Sequence, residues 1–96
     1  MKNKFFLLVL FQVSVIFGQQ RNVTGQVTSA EDGMTLPGVN VIVKGTNQGT
    51  VTDIDGNYSI SVPEDATLVY SFLGFEGREM QVEERSVIDI NLEEDL

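Results

Sequence analysis

Beyond residue 20, apolar and polar side chains alternate along this chain with period two, the pattern of strands that bury one face. Over Asn22–Thr28, Val23, Gly25 and Val27 oppose Thr24, Gln26 and Thr28. Val39–Lys44 sets Val39, Val41 and Val43 on one face, with Asn40, Ile42 and Lys44 on the other. Thr50–Asp53 begins with a β-branched run and predicts a short third strand, because branching at Cβ favours the pleated conformation. Tyr58–Val62 gathers Tyr58, Ile60 and Val62, and Thr67–Phe72 gathers Leu68, Tyr70 and Phe72. Arg78–Glu83 offers Met80 and Val82, and Val87–Leu92 offers Ile88, Ile90 and Leu92. No amphipathic helical period follows residue 20.

The residues between these runs turn the chain. Ser29–Gly38 is a loop, since Pro37 and Gly38 exclude a continuous strand. Gly45–Gly49 holds Asn47 and two glycines, which tolerate positive φ. Asp55-Gly56 is a leading hairpin dipeptide, and Pro63 sets φ near −65° for the next turn. The stretch Gly45–Tyr58, two turns around a β-branched run, therefore organises its flanking strands. Seven short strands with turns every few residues predict an all-β fold, a seven-stranded antiparallel β-sandwich. Too few residues remain for a barrel that encloses a ligand or crosses a membrane.

The start of the chain follows a different pattern. Lys2 and Lys4 precede an almost wholly apolar run, Phe5–Phe17, and Gly18 then stands before Gln19-Gln20. This is the layout of a secretory signal peptide, and the apolar run falls short of the roughly 20 residues a spanning helix needs. The expected division is a signal-peptide helix over residues 1–18 and one β-domain over 19–96.

Composition narrows the chemistry. The 96-residue chain carries a formal net charge of −8, and beyond residue 18 four basic residues face fourteen acidic ones. Nucleic acid is excluded as a partner, because phosphates would be repelled. With neither histidine nor cysteine, the common nucleophile–base pairs and most transition-metal sites are absent. Serines 29, 59, 61, 71 and 86 have no evident base, and Glu83-Glu84 and Glu93-Glu94 would point to opposite faces of a strand. No catalytic residue and no cofactor are expected, and the chain is read as no enzyme.

One metal candidate arises. Asp53, Asp55 and Asn57 fall at positions 1, 3 and 5 of a calcium loop, with Glu64 at position 12. Tyr58 stands where that loop needs its glycine, and strands rather than helices flank it, so these residues read better as a hairpin turn. Tyr70, Phe72 and Phe75 could form a sugar-stacking platform, but their alternating spacing favours the core.

With strands and turns placed, Asn22–Leu92 resembles the carboxypeptidase-regulatory-like domain, a transthyretin-type sandwich. More narrowly it resembles the copy at the N-terminus of SusC/RagA-type TonB-linked outer-membrane receptors of Bacteroidetes. The residues that carry the likeness are Gly25-Gln26-Val27, Leu36-Pro37-Gly38-Val39-Asn40-Val41 and Val43-Lys44-Gly45-Thr46. It continues through Gly49-Thr50-Val51-Thr52-Asp53, Gly56-Asn57-Tyr58, Val62-Pro63 and Ser71-Phe72-Leu73-Gly74-Phe75. The resemblance implies a transthyretin (prealbumin)-like Greek key, exported to the periplasmic face of the outer membrane. It implies a non-catalytic module of a transporter that imports glycans or peptides. The implied partners are the TonB-system periplasmic protein, the receptor's own plug and barrel, and a surface lipoprotein. Acidic Glu76, Glu79, Glu83 and Glu84 would then favour a basic partner. The alternative is a stand-alone exported sandwich that binds glycan or calcium.

Overall fold

The computed structural model describes residues 20–96, so the expected signal peptide lies outside the described residues. Among the described residues seven strands form: β1 (Gln20–Ser29), β2 (Asn40–Val43), β3 (Gly49–Val51), β4 (Asn57–Pro63), β5 (Thr67–Ser71), β6 (Arg78–Gln81) and β7 (Ile90–Leu92). They make a three-stranded sheet in the order β4-β1-β7 and a four-stranded sheet in the order β3-β2-β5-β6. The hairpins β2–β3 and β5–β6 stay within the larger sheet, and the other connections cross between sheets. The result is the expected sandwich.

The period-two pattern sets the core. Val23, Val27, Tyr58, Ile60, Val62, Ile90 and Leu92 face inward from the smaller sheet, joined by Ile88 just ahead of β7. Val41, Val43, Leu68 and Tyr70 meet them from the larger sheet, with Val39 and Val82 at its strand ends. All fourteen are buried, and each large aliphatic among them adds about 1.5–3 kcal/mol. Burial on this scale lets a cysteine-free domain hold together.

One pairing departs from the antiparallel expectation. β1 and β7 run parallel, Val27 opposite Ile90 and Ser29 opposite Leu92. The chain leaves β6 at the end where β1 begins, crosses to the smaller sheet and returns in the same direction. The seventh strand is also shorter than the predicted Val87–Leu92. A parallel bridge joins Thr24 to Val87, but the Gln26 N–H then donates to the Asp89 carboxylate at 2.9 Å. A side chain there replaces a ladder bond, and regular pairing resumes only at Ile90.

All strands lie between two ends. Where β1 and β7 finish and β4 begins, the chain also finishes β3 and β5 and begins β2. This loop end holds residues 30–39, 52–56, 72–77 and 93–96. The opposite end holds 44–48, 64–66 and 82–86.

Candidate functional site

Several of the motif residues have structural tasks at the loop end. The hairpin Asp53–Gly56 closes with the Gly56 N–H on the Asp53 carbonyl and the Asp53 N–H on the Asn57 carbonyl, both 2.9 Å. Asp53 Oδ1 accepts the N–H groups of Asp55 and Asn57, each at 2.9 Å, as aspartate does in turns. Gly56 has a φ of 79°, and a Cβ there would lie 2.8 Å from the Val27 carbonyl oxygen. The three calcium candidates are therefore brought together as a turn, with one Asp53 oxygen engaged by backbone donors. Glu64 sits beyond the far end of β4, about 20 Å along the strand direction, where it pairs with Arg21 at 3.1 Å. Among the described residues no three His, Cys, Asp or Glu side chains gather in a group that could hold a metal ion.

Thr52 explains Leu36-Pro37-Gly38-Val39. Its buried hydroxyl donates to the Leu36 carbonyl at 2.6 Å and accepts the Val39 N–H at 2.9 Å. Gly38 donates to the Thr52 carbonyl at 3.1 Å, so the loop is tied to the end of β3.

Of the aromatic trio, Tyr70 is wholly buried, whereas Phe72 and Phe75 are half-buried against the core with centroids 5.6 Å apart. A feature missed in the sequence spans the two sheets. The Tyr58 hydroxyl donates to the Ile88 carbonyl at 2.7 Å, which leaves the Tyr70 hydroxyl to donate to Tyr58, also at 2.7 Å. The rings meet edge to face at 5.7 Å. Burial pushes the Tyr58 hydroxyl pKa up, partly offset by the bond to Tyr70, with Asp89 nearby adding to the rise. Burial, reinforced by the bond to Tyr58, pushes that of Tyr70 far up. Alternation alone marked both residues as inward but could not show that their hydroxyls meet.

Three of the candidate serines bond neighbouring side chains. Ser29 is buried and bonds Glu31 at 3.1 Å, and Ser59 and Ser61 bond Asn22 and Gln20 at 3.3 and 3.4 Å.

Charge divides unevenly between the ends. At the opposite end Arg21 and Arg85 pair with Glu64 and Glu83 at 3.1 and 3.8 Å, and Lys44 reaches along the sheet to Glu79 of β6 at 3.0 Å. Glu83 has a φ of 56° at the rim of a concavity of about 740 Å³ lined by Glu64, Asp65, Ala66, Gln81, Glu83, Glu84 and Arg85. Two of the four glutamates expected to attract a basic partner are thus already paired, and Glu76 lies at the other end. The loop end carries Glu31 and Asp32, Asp53 and Asp55, Glu76, and Glu93 to Asp95, all exposed. Arg78 is the cation there among the described residues, and its guanidinium donates to the Asn91 carbonyl at 3.0 Å.

Residues 23–96 match the model of the CarboxypepD_reg-like domain, and the chain belongs to that family. It is 46% identical over 96 residues to TonB-dependent receptor P3 of Formosa agariphila, covering 99% of this chain and 10% of the receptor. TonB-dependent receptor P39 of the same organism is 46% identical over 95 residues, covering 96% of this chain and 9% of that protein. TonB-dependent receptor SusC of Bacteroides thetaiotaomicron is 42% identical over 66 residues, 69% of this chain and 6% of SusC. The chain spans about a tenth or less of the length of the curated relatives it matches. The resemblance drawn from the motif residues therefore holds at the level of the family and of its receptor setting.

Proposed function

We propose that this chain is the periplasmic N-terminal domain of a SusC/RagA-type TonB-dependent outer-membrane receptor, in which it acts as an interaction and structural module, not as a catalyst. The single observation that carries this reading is the 46% identity to receptor P3 over 99% of the chain. In this reading residues 1–18 direct export and are removed, and residues 19–96 form the domain. The receptor's plug and barrel, a TonB-system periplasmic protein and a surface lipoprotein complete the assembly. Nutrient import, of glycan or peptide, belongs to that whole assembly.

The motif residues support a non-catalytic role, because their polar groups are engaged in turns and loop ties. Sequencing the locus beyond codon 96 tests the proposal. A frame that runs on into a plug and a many-stranded barrel is the expected result, and a stop codon with no such frame would overturn it.

A further inference from the structure

The loop end of the sandwich combines two features. The first is its surplus of carboxylates, which no lysine or arginine among the described residues approaches within ion-pair distance. The second is apolar. Met34, Ile54 and Leu73 are 65%, 82% and 96% exposed, one on each of the three loops there. Those loops touch: a Cβ on Gly56 would lie 3.0 Å from Thr35 Cβ, and one on Gly38 would lie 3.6 Å from the Phe72 ring. Backbone hydrogen bonds close the turns beneath two of these tips. Asp53 and Gly56 close the turn under Ile54, and the Phe75 N–H on the Phe72 carbonyl at 3.0 Å closes the turn under Leu73. The last segment braces the third loop, with Asp95 donating to the Gly74 carbonyl and Glu76 to that of Glu93.

Aliphatic side chains held out on adjoining turns contribute nothing to the core, and gathered at one end of the sandwich they offer apolar contact to a partner. The charge around them selects the occupant, since complementary potential raises encounter rates with basic chains and repels acidic ones. We infer that the loop end, with Leu73 and Ile54 as its apolar contacts, docks a basic segment of a partner protein that carries aliphatic residues between its lysines or arginines. This inference rests on the proposed role as an interaction module and assigns that role to one surface. The opposite end, with its cations paired to glutamates, has far less free negative charge to offer.

Two synthetic peptides of equal length and charge test the assignment, one alternating lysine with leucine and the other alternating lysine with serine. Each is titrated at low salt into the isotopically labelled chain, and amide resonances report where it binds. The expected result is a set of shifts confined to residues 30–38, 52–56, 72–77 and 93–95, with the leucine peptide binding at least tenfold tighter. The double variant Ile54→Ser/Leu73→Ser should abolish that tenfold preference while leaving amide dispersion intact, because both side chains are exposed. Glu64→Gln/Asp65→Asn/Glu83→Gln/Glu84→Gln, at the opposite end, should leave binding unchanged. Shifts centred on the opposite end or on the sheet edges would overturn this surface and leave the wider interaction role standing. A preference for leucine that survives the double variant would also overturn it. Failure of both peptides to bind would remove the acidic docking role altogether.

Discussion

Gly25 lies midway along β1, where the segment leading into β7 passes closest. A Cβ at this position would overlap the Ile88 carbonyl oxygen and lie 2.7 Å from its carbon and 2.9 Å from Tyr58 Cε1. Neither neighbour can yield, because Ile88 is fixed through its N–H on the Thr24 carbonyl and its own carbonyl holds the Tyr58 hydroxyl. Gly25→Ala should cost about 3 kcal/mol, the upper part of the usual overpacking range, read as a lowered urea midpoint. The tyrosine pair makes a graded prediction. Tyr70→Phe removes one donor and should cost about 0.5–1.5 kcal/mol, whereas Tyr58→Phe strands the Ile88 carbonyl and should cost about 1–3 kcal/mol. Equal losses would mean that the hydroxyl chain does not run from Tyr70 through Tyr58 to Ile88. Both hydroxyls have folded pKa values raised above the unfolded value of about 10. Their contribution is therefore full below pH 10 and lost as pH rises beyond it, when unfolded tyrosines ionise and the folded pair stays neutral. An alkaline titration of Tyr58→Phe/Tyr70→Phe should lose less stability above pH 10 than the parent chain.

At the scale of elements, the sandwich depends on ties between loops and strand ends as much as on its ladders. β3 has three residues, and the buried Thr52 hydroxyl just beyond it holds the long loop in place. Thr52→Val keeps the shape but leaves the Val39 N–H and Leu36 carbonyl without this partner, at about 1–3 kcal/mol. Hydrogen exchange at the Val39 amide should quicken relative to the β1 amides, and uniform quickening would instead mean global destabilisation. The flanks are laced by single side chains. Arg78 reaches from β6 to the Asn91 carbonyl of β7, and Gln48 reaches to the Ser61 carbonyl of β4 at 3.2 Å. Such caps, with Pro63 ending β4, protect edge strands against unwanted pairing.

For the whole molecule, like charge crowded at one end opposes compaction. Raising sodium chloride from about 20 mM to about 500 mM shortens the screening length severalfold and should raise the Tm. Glu93→Gln/Glu94→Gln/Asp95→Asn should raise the Tm at low salt and flatten its salt dependence. A salt response unchanged in this variant would place the repulsion elsewhere. The same end is the proposed docking surface, so a basic partner that neutralises it should also stabilise the fold.

How much of this was legible in the sequence varies with the range of the interaction. Period two is local, so all seven strands and the inward faces of Val23/Val27, Tyr58/Ile60/Val62 and Ile88/Ile90/Leu92 could be read directly. Turn chemistry is local too, and Asp55-Gly56 and Leu36-Pro37-Gly38 fell where expected. The motif residues sufficed for the family, because their order and spacing survive without any knowledge of contacts. What the sequence could not settle depends on residues far apart in the chain. The parallel course of β7, the meeting of Tyr58 with Tyr70 and the role of Thr52 each need elements from opposite sheets or distant loops to come together. Net charge is additive and could be counted, but its distribution is a matter of position. Only the fold pairs Lys44 with Glu79, joins Arg21 to Glu64 at one end and leaves Glu93 to Asp95 beside Leu73 at the other.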